Sequence, residues 1–460
     1  MSAQSAPDAR APDARAPDSR TPDSRTLALA AGWKASFLCS GLFLAGLDEK
    51  TVAATDLQGG YPELQPHLQG LAARIDRTAK RVEVEAGAGQ PPRVAEYVEG
   101  RGCVQLPIGA KAGAVALPPQ LIGGPDRRRM DERPWPLGDR QATATIPAKA
   151  RKALDAAVAA AIAGESYGKG SRTSAVLVVQ DGKIVAERYA LGIGRHAPQR
   201  TWSVAKSLTS ALVGRAAALG VMDPMQPAWV PEWDFAGDPR GGISLDQLLR
   251  MQSGLWTNGP GSRTDALYFG GSTVAETAAT APVEAPAGTR FNYANNDTLL
   301  ASRALRSNLG EAAESFPYTH LLWPLGMTRT TLESDWRGAP ILSSQVWMTA
   351  RDMARLALLH LNDGVWQGER LLPEGWVRDA TTAVGPQPED GRGQRYGRAI
   401  WLLGAAQGLP EGSYAFIGNR GQYAVVVPSG RLVVVRRGFD PAGARFDFAA
   451  FTRDVAAALR

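Results

Sequence analysis

Apolar and polar positions along the chain alternate in two distinct periods. Around position 204 the period is helical: Val204, Leu208 and Leu212 recur at i, i+4 and i+8 and lay one stripe along a helix that opens near Thr201. Positions 148–162 read as an Ala-rich helix, 297–305 and 353–361 as helical runs, and 448–459 as a closing helix. Ser244 stands where an N-cap belongs, ahead of a short helix over 244–251. The other texture is strand-like. Positions 174–180, the Asp181-Gly182 turn and positions 183–189 predict a β-hairpin, and 423–427, Pro428-Ser429-Gly430 and 431–436 predict a second. Hairpins towards both ends with helices between them predict one antiparallel sheet backed by helices, an α+β layout.

The first part of the chain shows neither period. Residues 1–25 repeat a five-residue unit, Ala6-Pro7-Asp8-Ala9-Arg10 and close copies, with Pro in every unit and nothing large and apolar, which predicts a disordered tail. This start does not read as a signal peptide: the apolar patch at 26–33 is short, and Lys34 separates it from 37–47. We find no run of about 18 apolar residues and expect no membrane span. Positions 34–110 read as a helix near 35–47 followed by Gly- and Pro-rich turns, and 109–140 as a linker. A compact domain begins near Trp135. The expected division is a tail (1–25), an N-terminal extension and linker (26–134) and one domain (135–460).

Composition narrows the function classes. The net charge of +6 comes from scattered Arg, without the clustered patch that nucleic-acid binding calls for. Hydrophobic content of 44% and charged content of 21% are those of an ordinary globular protein. Cys39 and Cys103 suit no zinc spacing. They are two buried thiols in a cytosolic chain, or one bridge in an exported one. His67, His196, His320 and His360 form no cluster in the sequence, so no metal or organic cofactor is implied, and His360 reads as a satisfied histidine in an apolar helix.

Candidate chemistry enters at Ser203 and Lys206. Three apart at a helix start, they rise from one face of the first turn, a hydroxyl beside an amine, where free backbone N–H groups favour developing negative charge. Ser-x-x-Lys is a weak pattern alone, and Ser166 and Lys169 repeat it in a Gly-rich stretch where no helix is expected. Lys206, however, is the last lysine of the chain. Every later basic residue is Arg or His, and a guanidinium cannot serve as a base near neutral pH. Further on, Tyr293 and Asn295 bring a phenol and an amide two residues apart. Later still, Asn419-Arg420-Gly421-Gln422 introduces an apolar strand at whose head a ligand can approach the backbone.

In this order, Ser-x-x-Lys, Tyr-x-Asn and a Gly-ending triplet before a late strand resemble the three motifs of the penicillin-recognising serine hydrolases. That superfamily includes class C β-lactamases, D-alanyl-D-alanine carboxypeptidases, β-lactamase-like esterases and 6-aminohexanoate-dimer hydrolases. Positions 248–254, 323–327 and 348–353 support the resemblance, which runs from about 174 to the C-terminus. It implies a β-lactamase/transpeptidase-like fold, an antiparallel sheet flanked by helices plus a mainly helical subdomain. The usual third motif is Lys-Thr-Gly or His-x-Gly. Asn419-Arg420-Gly421 lacks that Lys, which favours an amidase or esterase and brings the 6-aminohexanoate-dimer-hydrolase-like branch closest. In exported relatives such an extension follows a signal peptide, so the resemblance implies the periplasm, and the lack of a clear signal peptide in this sequence leaves the cytoplasm as the other expectation.

The resemblance implies Ser203 as nucleophile, Lys206 as base, Tyr293 as proton relay and Asn295 as orienting group. The amides of Ser203 and Gln422 would hold the oxyanion, each worth about 3 kcal/mol if well aimed. Arg420 is a candidate for the missing charge. Trp202, Trp256, Tyr268, Phe269 and Trp347 are candidate walls of an apolar pocket for a small amide or ester. D-Ala peptides, β-lactams and a non-catalytic binding role on the same fold are the alternatives. A Ser–His–Asp hydrolase is disfavoured, since no G-x-S-x-G elbow is present.

Overall fold

Asp23 sets the first helix. Its Oδ1 accepts from the Thr26 amide at 2.7 Å and draws Ser24 and Arg25 into helix α1 (Ser24–Cys39), continued by a π-helical turn over Ser40–Leu44. In the computed structural model, which describes residues 23–87, 89–114, 117, 124–140, 143–257 and 264–460, this replaces the shorter helix expected at 35–47. The tail expected over 1–25 lies outside the described residues up to position 22, and its last two residues are helical. The expectation of no sufficiently apolar segment is also corrected. Ser24–Leu44 is long and apolar enough, at mean hydropathy 1.5, to cross a membrane by length and composition. Two-thirds of it is buried against the rest of the chain, as for a core helix.

The partner of α1 is a sheet that the sequence reading missed. Strands β1 (Ala73–Asp76), β2 (Arg81–Val84), β3 (Arg93–Val98) and β4 (Gly102–Gln105) form an antiparallel meander in that order, and Val82, Val84 and Ala95 are fully buried beneath α1. Each strand is only four to six residues long, so its alternation is short. Cys39 and Cys103 are disulfide-bonded, tying α1 to β4.

The rest follows the expected layout. After α2 (Ala148–Ala163) come β5 (Thr173–Gln180) and β6 (Lys183–Tyr189), then α3 (Val204–Ala218), α4 (Asn295–Leu309) and α5 (Ala350–Leu361). Strands β7 (Arg395–Tyr396), β8 (Trp401–Leu402), β9 (Tyr414–Gly418), β10 (Gln422–Val427) and β11 (Leu432–Gly438) lead to α6 (Phe448–Ala458). One antiparallel sheet runs β7-β8-β9-β10-β11-β5-β6. Its central strands are buried at nearly every position and mostly apolar because both faces are covered. Val176, Val178, Val425 and Val434 pack with Leu154, Val158, Phe451 and Val455 of α2 and α6. Leu177, Val179, Val433 and Val435 pack on the other side with Met353, Leu356 and Leu359 of α5 and with α3. That second layer carries the start of α3 to the end of β9.

Candidate active site

Ser203 occupies the N-cap position of α3, yet its side chain makes no capping bond. The hydroxyl is thereby left for other work, and it is partly exposed. The residue before it, Trp202, is buried with φ of +51°, a left-handed backbone rare for a bulky side chain and the kind of local strain held at functional turns.

Lys206 is 1% exposed. Its Nζ lies 2.6 Å from Asn295 Oδ1, 2.8 Å from the Ser343 carbonyl and 3.2 Å from Ser203 Oγ. The first two partners can only accept. They claim two amine hydrogens, so the remaining direction, towards a hydroxyl that can itself donate, is where a neutral amine keeps its lone pair. Burial pushes the Lys206 amine down to about 7. Asn295 opens α4, whose N-cap is Ala294, so its side chain does not serve as a cap. Its amide nitrogen donates to Thr264 Oγ1 at 3.1 Å, which aims Oδ1 at Lys206. The Tyr293 ring centroid is 5.4 Å from Lys206 Nζ. Burial pushes the phenol well above its usual range, against the pull of a hydrogen bond with Ser203. The second Ser-x-x-Lys copy, Ser166 and Lys169, is exposed in an irregular turn.

Ser203, Tyr293 and Asn295 line a cleft of about 600 Å³, with Lys206 buried behind them, and it is walled also by Trp202, Tyr268, Asn419 and, unforeseen, by Tyr61 and Trp401. Tyr268 holds Ser343 Oγ at 2.6 Å, steadying the segment that supplies a carbonyl to Lys206. The other expected walls are elsewhere. Trp347 is 2% exposed on a short buried strand, Phe269 is wholly buried beside Trp33, and Trp256 is tied by its amide to the Pro282 carbonyl, off the cleft.

The third motif needs the largest correction. Gly418, at the end of β9, is the residue pressed against the nucleophile turn: a Cβ there would stand 2.2 Å from the Thr201 carbonyl oxygen and 3.2 Å from the Ser203 amide nitrogen. Gln422 pairs with Gly418 across the hairpin, does not line the cleft, and spends its side-chain amide on the Arg420 and Gly438 carbonyls. Gly421 is required by its turn, with φ of +80° and the Arg436 guanidinium where a Cβ would be. Arg420 and Gly421 line the cleft beside Asn419, and the Arg420 guanidinium reaches into the N-terminal extension. There it donates to the Thr55, Asp56 and Gln58 carbonyls and lies 3.6 Å from Asp56 Oδ1. Gly418 heads the stretch read from sequence, but the role went to Gly421 three residues later; the signal for Gly418 is that it ends an apolar strand, Tyr414–Gly418.

No histidine joins the site. His360 is buried, its Nδ1 at 2.9 Å from the Leu356 carbonyl oxygen and burial lowering it to about 4. His196 meets Asp139 and Asp131, a group the sequence did not suggest. Asp139 there is already paired with Arg355, with Arg351 and Arg329 beside it.

Comparison with known proteins bears on the family and the fold. A curated 6-aminohexanoate-dimer hydrolase from Paenarthrobacter ureafaciens is 29% identical over 303 residues, 57% of this chain and 72% of that protein. Among solved structures, a class C β-lactamase in complex with cefoxitin superposes with a TM-score of 0.51 at 14% identity, covering 68% of this chain and 99% of its own. The octameric penicillin-binding protein homologue from Pyrococcus abyssi gives 0.51 at 16%, covering 65% and 75%. Both share the β-lactamase/transpeptidase-like fold with this chain. The Beta-lactamase family model matches residues 152–440, from α2 to just beyond β11 and enclosing Ser203, Lys206, Tyr293 and Gly418: the chain belongs to the Beta-lactamase family.

Proposed function

We propose that this chain is a serine hydrolase that cleaves a small amide or ester through an acyl-enzyme, in the manner of a 6-aminohexanoate-oligomer amidase or a related esterase. The observation that carries the reading is the buried Lys206 amine, fixed by two acceptors and facing the Ser203 hydroxyl at 3.2 Å. Ser203 Oγ attacks the acyl carbon while its proton passes to Lys206. The amides of Ser203 and Asn419, neither hydrogen-bonded within the protein among the described residues, are suited to hold the oxyanion, in place of Gln422. Tyr293, still protonated near neutral pH, hands a proton to the departing amine or alkoxide as its bond to the acyl carbon breaks. Water then attacks the acyl-enzyme, giving up a proton to the same pair, and Ser203 leaves with one. The Arg420 guanidinium is engaged by the Thr55 and Asp56 carbonyls and the Asp56 carboxylate, so it does not replace the motif lysine that would anchor a β-lactam or D-Ala carboxylate, which favours the amide or ester.

Intact-mass analysis after treatment with a fluorophosphonate tests the proposal. One adduct is expected on the wild type and none on Ser203→Ala, which should also lose turnover of p-nitrophenyl acetate while folding normally. An unlabelled wild type, as a binding protein on this fold would give, sinks it.

A further inference from the structure

Tyr61 lines the cleft although it lies far outside the segment matched by the family, in the extension set apart at 26–134. Its ring stands edge-on to Trp33, with centroids 5.2 Å apart, and to Phe269 at 6.1 Å. Trp33 in turn lies 6.0 Å from Trp202, so an aromatic cluster runs from α1 to the residue beside the nucleophile. Tyr293 belongs to a separate cluster with Trp401 and Tyr396. The cleft thus has two aromatic walls, and only one is built on the family domain alone.

The segment carrying Tyr61 is pinned on both sides. Behind it, α1 comes close enough to the catalytic layer that a Cβ at Gly32 would stand 1.9 Å from the Phe269 carbonyl oxygen, and Trp33 Nε1 donates to the Asp56 carbonyl at 3.3 Å. In front of it, Arg420 grips the carbonyls of Thr55, Asp56 and Gln58 from the turn that follows Gly418. A wall held this way keeps its geometry without paying ordering entropy when a ligand arrives. A partly buried phenol ordinarily finds a hydrogen-bond partner. The Tyr61 hydroxyl has none among the described residues, and the space beside it is the cleft.

We infer that Tyr61 is a specificity-determining residue supplied by the N-terminal extension, its ring packing against the apolar chain of the substrate beside the scissile bond. This deepens the hydrolase proposal by naming an apolar-chained acyl compound as the substrate class, and it rests on that proposal for catalysis alone. The extension is then a working part of the active site, and its length of chain is explained by a wall it completes.

The test uses the full chain and reads binding and turnover separately. In a Ser203→Ala background, adding Tyr61→Ala should raise the Kd for N-phenyloctanamide at least fivefold, whereas Tyr61→Phe, which keeps the ring, should change it less than twofold. With Ser203 present, Tyr61→Ala should lower the ratio of kcat/KM for p-nitrophenyl octanoate over acetate at least fivefold, through KM. The loss on acetate should be the smaller of the two, which separates a lost wall for the acyl chain from a general loss of activity. An unchanged Kd, an octanamide that binds neither protein, or an equal loss on both esters with a lowered Tm overturns the inference. A wild type that binds the amide through Tyr61 yet resists the fluorophosphonate would instead overturn only the hydrolase reading.

Discussion

Replacing Lys206 by methionine isolates the energetics of the buried amine. Burial lowers its proton affinity from an ordinary value of 10.5 to about 7, so close to 3.5 pH units separate the folded protein from the unfolded chain. At about 1.4 kcal/mol per unit, the fold carries a penalty on the order of 5 kcal/mol whenever this amine is charged. Between pH 7 and 10.5 the unfolded chain binds more protons here than the folded one, so stability rises with pH over that window, and the full penalty is felt below it. Methionine removes the titration. It also leaves Asn295 Oδ1 and the Ser343 carbonyl without a donor, at about 1–3 kcal/mol each, but that cost is the same at every pH. The wild type should therefore gain on the variant by about 2.3 kcal/mol between pH 7 and pH 9, two units of linkage less about 0.3 of a unit because the folded amine is still half-charged at pH 7, measured by denaturant unfolding at both values. The same titration should appear in wild-type kcat/KM on an activated ester, climbing roughly tenfold per unit below pH 7 and flat above it. A stability gap that is equal at both pH values, or a rate profile whose midpoint lies at pH 9 or higher, would refute the reasoning.

Three other outcomes follow from the same geometry. Gly418→Ala forces a methyl against the Thr201 carbonyl and the Ser203 amide and should cost roughly 10²–10³ in kcat with the fold retained, read by ester kinetics and circular dichroism; undiminished kcat would remove β9 from the oxyanion site. Tyr293→Phe should lower kcat by about 10²–10⁴ while fluorophosphonate labelling of Ser203 persists, and a variant with wild-type turnover would deny the phenol any part in proton transfer. Reducing the Cys39–Cys103 bridge frees a loop spanning 64 positions and should cost about 4 kcal/mol in unfolding experiments with and without reductant; equal midpoints would show that the bridge stabilises nothing.

What was legible in the sequence is what is local. Ser203 and Lys206 sit on one helical turn, and the stripe of Val204, Leu208 and Leu212 fixes which way that turn faces, so spacing alone sufficed. Both hairpins carried their turns beside them, and α2, α5 and α6 ended within a few residues of expectation. The pairing of Tyr293 with Asn295 was legible only through the resemblance, because nothing local says that Asn295 leaves the cap position to Ala294 and reaches Lys206. The third motif was misplaced by three residues for a physical reason. Gly418 is needed for a close approach to another part of the chain, whereas Gly421 is needed for its own backbone angle, and a sequence shows both simply as glycine. Trp256 and Trp347 were read as walls on residue type alone. Their positions depend on the Leu255–Val283 bridge and on the pairing of Val346–Met348, which are long-range. The N-terminal meander, and with it Tyr61, left only the short alternation of Val82 and Val84 as a trace.

The distribution of basic residues says why an amine stands at position 206. Among the described residues ten arginines are buried but only one lysine. Arg therefore fills the interior of this chain as well as its surface. The buried guanidiniums act as fixed multi-donor braces: Arg355 bonds Asp352, Asp139 and the Pro136 and Gly138 carbonyls, and Arg437 bonds Gln422 and the Met348, Gln199 and Arg200 carbonyls. A brace must hold its charge whatever the pH, which a guanidinium does and a buried ammonium does not. Lys206 makes the opposite trade. Its three contacts would suit a brace, but burial brings its proton affinity down to the working range, so what it contributes is a proton that can leave. Among the described residues every other buried cation is arginine, and the one lysine stands where the proposed hydrolase needs a base and a brace would be useless.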